Sequence, residues 1–492
     1  MRSILLLAAA LCGGPVLLSA QSRDTTSGPV LTLDQAITLA TRNNPDYLQV
    51  LNNRKAASAE LRAAYGTLLP EVDASLNSTY RQGGAQVFQG QTFGASSNTY
   101  QSSYFFGVNY RLNGSSFLLP GQQRANVEAV EADIKGTAEL VRATVSQQYL
   151  TVLQSQAKAA LQDSLVKSQE SQLELAKAKS AVGSGTQLDV ARAEVTLGQQ
   201  RVAALQAHNQ VEIDKLRLFQ RIGVTQPANV QLTSTFTVAE PTFVLDDLLG
   251  IARKENPTLN ALRSRDRVST YNVRLARSEY LPTLSLSTGK GGYAFQYADP
   301  NFLVKQAEFG GQARATGCFV TDSIRRGAGL APLGGCDALL LSDAQAASIR
   351  AQNSQFPFSF TKQPLAFSAS LSLPIFNGFT REQHLAEAQA NRDDARYRIR
   401  AGELQLTADV TAAYLTLVTQ ARTVAQQEQN VAKAKEELRL AQERYKVGAS
   451  TFLEVTTAQA SYEQAENDRI NAIFEYHKAF AALESAVGRP LR

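Results

Sequence analysis

Two kinds of periodicity alternate along this chain. Four short segments switch between apolar and small polar residues with period two, as strands with two unlike faces do. In the first, Val72, Ala74, Leu76 and Tyr80 oppose Glu71, Asp73, Ser75, Asn77 and Thr79. In the second, Tyr104, Phe106, Val108, Tyr110 and Leu112 oppose Ser103, Gly107, Asn109 and Arg111. The third begins LPTLSLSTG, with Leu284 and Leu286 against Thr283, Ser285 and Ser287. In the fourth, Leu365, Phe367, Ala369, Leu371, Leu373 and Ile375 alternate with Ala366, Ser368, Ser370 and Ser372. After the second and the fourth segments run stretches built for helix, about 120–182 and 380–447, rich in Ala, Gln, Glu, Lys and Leu. Val410, Leu417, Val424, Val431, Leu438 and Tyr445 recur every seven residues. Val145, Val152, Ala159, Val166, Leu173 and Ser180 keep the same register in the first stretch. A seven-residue seam predicts coiled-coil-like packing. Ala413, Ala421, Ala425, Ala432 and Ala434 offer a second, close-packing flank.

Each long stretch breaks at a Val-Gly pair and resumes as a shorter helix, about 187–221 and 452–487. Another helix precedes each strand pair, about 45–66 and 257–279. A run of about 60 residues extends about 90 Å as helix, which two short helices end to end nearly match. Such columns suit a hollow helical cylinder.

The chain is written twice. LDQAITLATRNNP (Leu33 to Pro45) matches LDDLLGIARKENP (Leu245 to Pro257), and Leu69-Pro70 matches Leu281-Pro282. Asn113-Gly114 matches Asn377-Gly378, Gly183 matches Gly448, and Gly223 matches Gly488. The expected organisation is a signal peptide at 1–20, a first repeat at 21–225, an extended linker at 226–242 and a second repeat at 243–492. The second repeat carries an insertion at about 290–360, including GGYAFQYADP and both later cysteines, which reads as a long loop.

The remaining composition narrows the class. MRSILLLAAALCGGPVLLSA has the basic start, apolar core and small-residue end of a secretory signal. Leu11 is too large to precede a lipidated Cys12. An exported chain favours a disulfide between Cys318 and Cys336. Net charge of +5 gives no case for nucleic acid. His208, His384 and His477 lack metal-ligand spacing, and no nucleophile–base motif, phosphate loop or HExxH appears. We therefore expect neither metal, cofactor nor enzymatic activity. No apolar run after the signal reaches transmembrane-helix length, so strands must span any membrane. Tyr80, Tyr100, Tyr104, Phe358 and Phe360 lie near strand ends, as an interfacial belt requires. Four strands cannot close a barrel, which needs about eight, so chains must pool them. A secreted coiled-coil structural or adhesive protein would explain the heptads but not the duplicated strand pairs.

The paired openings LDQAITLATRNNP and LDDLLGIARKENP, the Leu-Pro strand entries, LPIFNGFTR and YKVGASTFLEVTTAQA together resemble the TolC family of outer-membrane efflux and secretion channels. The resemblance covers nearly the whole mature chain. It implies a mainly α fold with membrane β-strands: a trimeric 12-stranded β-barrel continued by a long α-helical barrel. It implies a passive homotrimeric duct in the outer membrane lipid bilayer, reaching into the periplasm and serving an adaptor and an inner-membrane pump. Val182, Gly183, Ser184 and Gly185, with Val447, Gly448, Ala449 and Ser450, then fall at the periplasmic tip where the adaptor docks. Asp189 and Tyr445 match a family latch, and Glu454 matches a constriction aspartate. Ser450 stands where some members have the latch arginine, and Thr457 replaces a second constriction aspartate. Helix-dipole complementation remains the alternative role for Asp189 and Glu454.

Overall fold

The computed structural model describes residues 29–88, 91–95, 97–233 and 236–491, so the expected signal peptide at 1–20 lies outside the described residues. In chain order the first half holds β1 (Val30–Leu31), α1 (Leu33–Asn43), α2 (Pro45–Gly66), β2 (Glu71–Arg81), β3 (Ala85–Phe88), β4 (Gln91–Ala95), β5 (Thr99–Leu112), α3 (Gly114–Ala181) and α4 (Gln187–Ile222). After β6 (Gln231–Leu232) come α5 (Leu245–Glu255), α6 (Pro257–Ser278), β7 (Thr283–Tyr297), α7 (Phe302–Gly327) and α8 (Asp343–Gln352). The chain ends with β8 (Thr361–Lys362), β9 (Ala366–Ser372), α9 (Thr380–Lys446) and α10 (Phe452–Val487). One compact unit comprises residues up to Lys55, Glu128–Arg263 and Tyr397–Arg492. The other comprises Ala56–Val127 and Ser264–Arg396.

The helical unit is built around two equivalent cores. In one, Ala36 and Ala40 of α1 face Val145, Tyr149 and Val152 of α3 and Leu218 and Ile222 of α4. In the other, Leu248 and Ala252 of α5 face Val410, Leu417 and Val424 of α9 and Tyr476, Leu483 and Val487 of α10. All six seam residues from Val410 to Tyr445 are buried. The Asn-Pro motif explains itself here. The backbone N–H of Asn44 donates to Ala40 O at the end of α1. Its Oδ1 accepts from Tyr47 N in the first turn of α2, and its Nδ2 donates to Arg221 O near the end of α4, 2.7 Å away. Asn256 repeats the pattern with Leu259 N and Ala486 O. The proline that follows starts the next helix, where a missing N–H leaves nothing unsatisfied. Gly223 closes α4 at φ +85°, and a Cβ there would lie 2.4 Å from Asn43 O. The segment expected as an extended linker is extended but docked. Its β6 pairs in parallel with β1, Val230 and Leu232 enter the first core, and Tyr476 Oη donates to Ala239 O.

The second unit carries a sheet in the order β2-β5-β7, with β8 and β9 in turn along the far edge of β7. Register places Val72 opposite Val108, Val108 opposite Thr288, and Thr288 opposite Phe367. The four predicted apolar faces therefore join into one. On the opposite face, Phe105 lies across Gly107 and Gly289, where a Cβ would meet its ring at 2.7 and 2.3 Å.

Three expectations change. GGYAFQY is not loop but the second half of β7, fully paired with β5. Its aromatics sit on the opposite face from Leu284 and Leu286, so the period-two signal reverses sides midway and looks broken. The rest of the insertion, expected as a long loop, is largely helical: α7, a short 3-10 turn at Cys336–Leu339, and α8. Gly310, Gly311 and Gly317 depress helix propensity within α7 and hide it in the sequence. Packing overrides them: Val304, Gly311, Ala315 and Asp322 form the buried stripe, and a Cys318–Cys336 disulfide ties α7 to the turn. Asp322 accepts from Leu333 N, and that bond, with Arg326, holds its carboxyl below the usual range. Finally, α3 begins at Gly114, ahead of Pro120, because Asn113 Oδ1 caps Ser116 N at 2.9 Å.

Candidate functional site: the paired helix turns

The last carbonyls of a helix need partners, and both long helices find them in the same way. At the end of α3, Ser184 N donates to Lys179 O at 2.9 Å and Gly183 N donates to Ser180 O at 3.2 Å. At the end of α9, Ala449 N donates to Arg444 O at 2.8 Å and Gly448 N donates to Tyr445 O at 3.1 Å. This is the Schellman pair of bonds, which requires a left-handed residue. Gly183 has φ +75° and Gly448 has φ +77°. A Cβ at either would meet no atom within 4 Å, so backbone conformation alone demands glycine.

The following helices are capped by Thr186 and Thr451. Asp189 N donates to Thr186 Oγ1, and Thr186 N donates back to Asp189 Oδ2 at 3.4 Å, closing a capping box; the Thr186 hydroxyl also donates to Oδ2 at 2.7 Å. Glu454 N likewise donates to Thr451 Oγ1. The Glu454 carboxylate, however, turns toward Arg444, 3.8 Å away, whose Nη2 also donates to Ala449 O.

The two turns are not independent. Tyr445, Phe452 and Val455 of the second share one core with Leu173, Ala176, Val190, Ala193 and Leu197 of the first. The Tyr445 and Phe452 rings meet edge to face, 5.9 Å between centroids. Lys179 of α3 stands 4.3 Å from the centre of the Tyr445 ring and donates to the carbonyls of Tyr445 and Lys446. A cation from one hairpin thus caps the negative end of the other hairpin's helix. Further along, α3 and α10 are joined by polar pairs. Gln172 bonds Gln459, Gln162 bonds Glu463, and Gln154 bonds Asn471, at 2.8–3.2 Å.

The eight residues expected at the tip lie in the two turns, with Val182 and Val447 exposed at 78% and 80%. Asp189 and Tyr445 are close enough to interact but are not hydrogen-bonded to each other. Asp189 is engaged at its own helix start, whereas the Tyr445 hydroxyl is buried without a hydrogen-bond partner among the described residues. Burial, reinforced by the Asp189 charge, holds the Tyr445 phenol above its ordinary pKa. The Glu454 carboxylate is directed to Arg444 instead. Lys179, Arg444 and Phe452 escape sequence reasoning. A basic residue in the last turn of α3 was the available signal for Lys179.

The outer membrane efflux protein model matches residues 36–224 and 341–489, well over half the chain and parts of both halves. Nodulation protein T of Rhizobium leguminosarum bv. trifolii is 22% identical over 475 residues, 94% of this chain and 85% of its own length. The pyoverdine export outer membrane protein OpmQ of Pseudomonas putida is 23% identical over 470 residues, 93% of this chain and 85% of its own. Among solved structures, the outer membrane protein VceC from Vibrio cholerae shares the fold, with a TM-score of 0.67 at 17% identity over 94% of this chain and 97% of that one. By sequence and by fold, the chain belongs to the outer membrane efflux protein family and is an outer-membrane channel protein of that class.

Proposed function

We propose that three copies of this chain assemble into one passive outer-membrane duct, fed by a periplasmic adaptor and an inner-membrane pump of a tripartite efflux or type I secretion system. The observation that carries this is the sheet. It is four strands wide, its outer edges at β2 and β9 have no partner strand among the described residues, and one face is apolar and exposed. Val72 is 70%, Phe106 60% and Phe367 77% exposed on that face. In lipid each unpaired backbone group costs several kcal/mol, so edges must be matched by other chains. Three sets of four strands close a ring of twelve, above the minimum of about eight.

In this reading the two Val-Gly turns form the inner mouth. The adaptor docks on Val182, Gly183, Ser184, Gly185, Val447, Gly448, Ala449 and Ser450, and Asp189, Tyr445 and Glu454 border the entrance. The exposed Val182 and Val447 support docking, since an apolar side chain at a turn gains by being covered. The stretches 21–225 and 243–492 act as two repeats joined through 226–242. Detergent extraction of the outer-membrane fraction tests the proposal. A heat-modifiable trimer that gives stepwise conductance in planar bilayers is expected. Recovery of only water-soluble monomer would overturn it.

A further inference from the structure

The apolar sheet face carries two charges, and they are neighbours. Lys290 lies opposite Phe106 on the face that β5 fills with Tyr104, Phe106, Val108 and Tyr110. Lys362 would fall on the other face if β8 simply continued β9. It does not, because the edge is bulged. Gly289 pairs with Ala366, but Gly292 pairs with Lys362, so the step from Ala366 to Lys362 is one residue longer than the matching step on β7. Pro364 lies inside that bulge, where its missing donor breaks no ladder bond, and Gln363 N bonds Gly291 O. The extra residue turns Lys362 onto the face of Gly292, two positions from Lys290. The two lysines are therefore diagonal neighbours, about 7–8 Å apart at the backbone.

Among the described residues no carboxylate pairs with either. The residues sharing this face are Val72, Ala74, Leu76, Ser78 and Tyr80 on β2, uncharged residues on β5, and Leu284, Leu286 and Thr288 on β7. The outward positions of the fourth strand are Leu365, Phe367, Ala369 and Leu371. A second copy pairing its β2 against β9 would add only its own uncharged outward residues. Both lysines are exposed, and Phe360 stands edge-on to Tyr104, the residue across from Gly292. Like charges side by side on a lipid-facing surface are unfavourable unless the surroundings supply an anion.

We propose that Lys290 and Lys362 form a binding site for the phosphate of an anionic lipid headgroup at the aromatic rim of the apolar band. This rests on the reading of that face as lipid-facing. Phosphate offers oxygens to both ammonium groups, while the acyl chains cover Phe106, Phe367 and Leu371. Native mass spectrometry of the full-length assembly tests it, in neutral-detergent micelles doped with phosphatidylglycerol, phosphatidylcholine or inorganic phosphate. The wild-type chain is expected to retain phosphatidylglycerol selectively. The K290Q/K362Q pair should retain on the order of tenfold less, each single variant an intermediate amount, and K290R/K362R nearly the wild-type amount. Equal retention by the double variant, equal retention of phosphatidylcholine, or equally tight inorganic phosphate would overturn the site. Absence of any trimer from the wild-type chain would instead overturn the channel reading on which the site rests.

Discussion

At the first turn Ser180 and Gln187 stand where the second has Tyr445 and Phe452. The backbones are interchangeable: the same pair of Schellman bonds, the same left-handed glycine and the same threonine cap. The contents are not. The second turn inserts two aromatics into the core between the hairpins, and the first supplies the lysine that caps its neighbour. Even the acids diverge, with Asp189 closed on its own cap and Glu454 drawn to Arg444. Duplication supplied two copies of one turn, and packing them against each other made one the insert and the other the clamp.

The largest expected difference tests that division. Phe452→Ala should lower stability by about 3–4 kcal/mol by opening a cavity beside Tyr445, while Gln187→Ala should stay within about 0.5 kcal/mol. Chemical denaturation of the purified protein, with hydrogen exchange at the turns, separates the two. Equal effects would mean the turns are equivalent after all. Gly183→Ala and Gly448→Ala should each lose about 1–2 kcal/mol, and by the same amount, because both strain only the backbone. A difference above about 0.5 kcal/mol would show that their surroundings matter. Lys179→Met should cost about 1 kcal/mol. Its signature is faster exchange at the Tyr445–Ala449 turn rather than at its own. The smallest contrast is between the acids. Asp189→Asn should lose about 0.5–1 kcal/mol by weakening the capping box, and Glu454→Gln nearly nothing, since its ion pair is long and exposed. Chemical denaturation of both variants beside the wild-type protein measures the contrast, and equal losses would remove it.

Much of this was legible in the chain before folding. Most helix limits followed from Pro, Gly and the seven-residue seam, because those signals act within a few residues of where they stand; the start of α3 ahead of Pro120 did not. The apolar strand faces were equally local. What escaped depends on residues distant in sequence. Phe452 reads as one more apolar helix start until Tyr445 and the α3–α4 hairpin surround it. Lys179 is one lysine among many until the α9 carbonyls appear beside it. GGYAFQY looked like loop because its aromatics switch faces, which only pairing with β5 makes sense of. The helix α7 was masked by glycines that a long-range cystine and a buried stripe outweigh.

The Asn-Pro elbows have a further consequence. Asn44 and Asn256 are each a common vertex, ending one helix, starting a second and holding the tail of a third. Loss of such an amide does not subtract one bond from one element. It releases three helix ends together, so double-mutant cycles among those ends should show strong coupling there and near-additivity elsewhere. Two side chains thus tie together six helix ends.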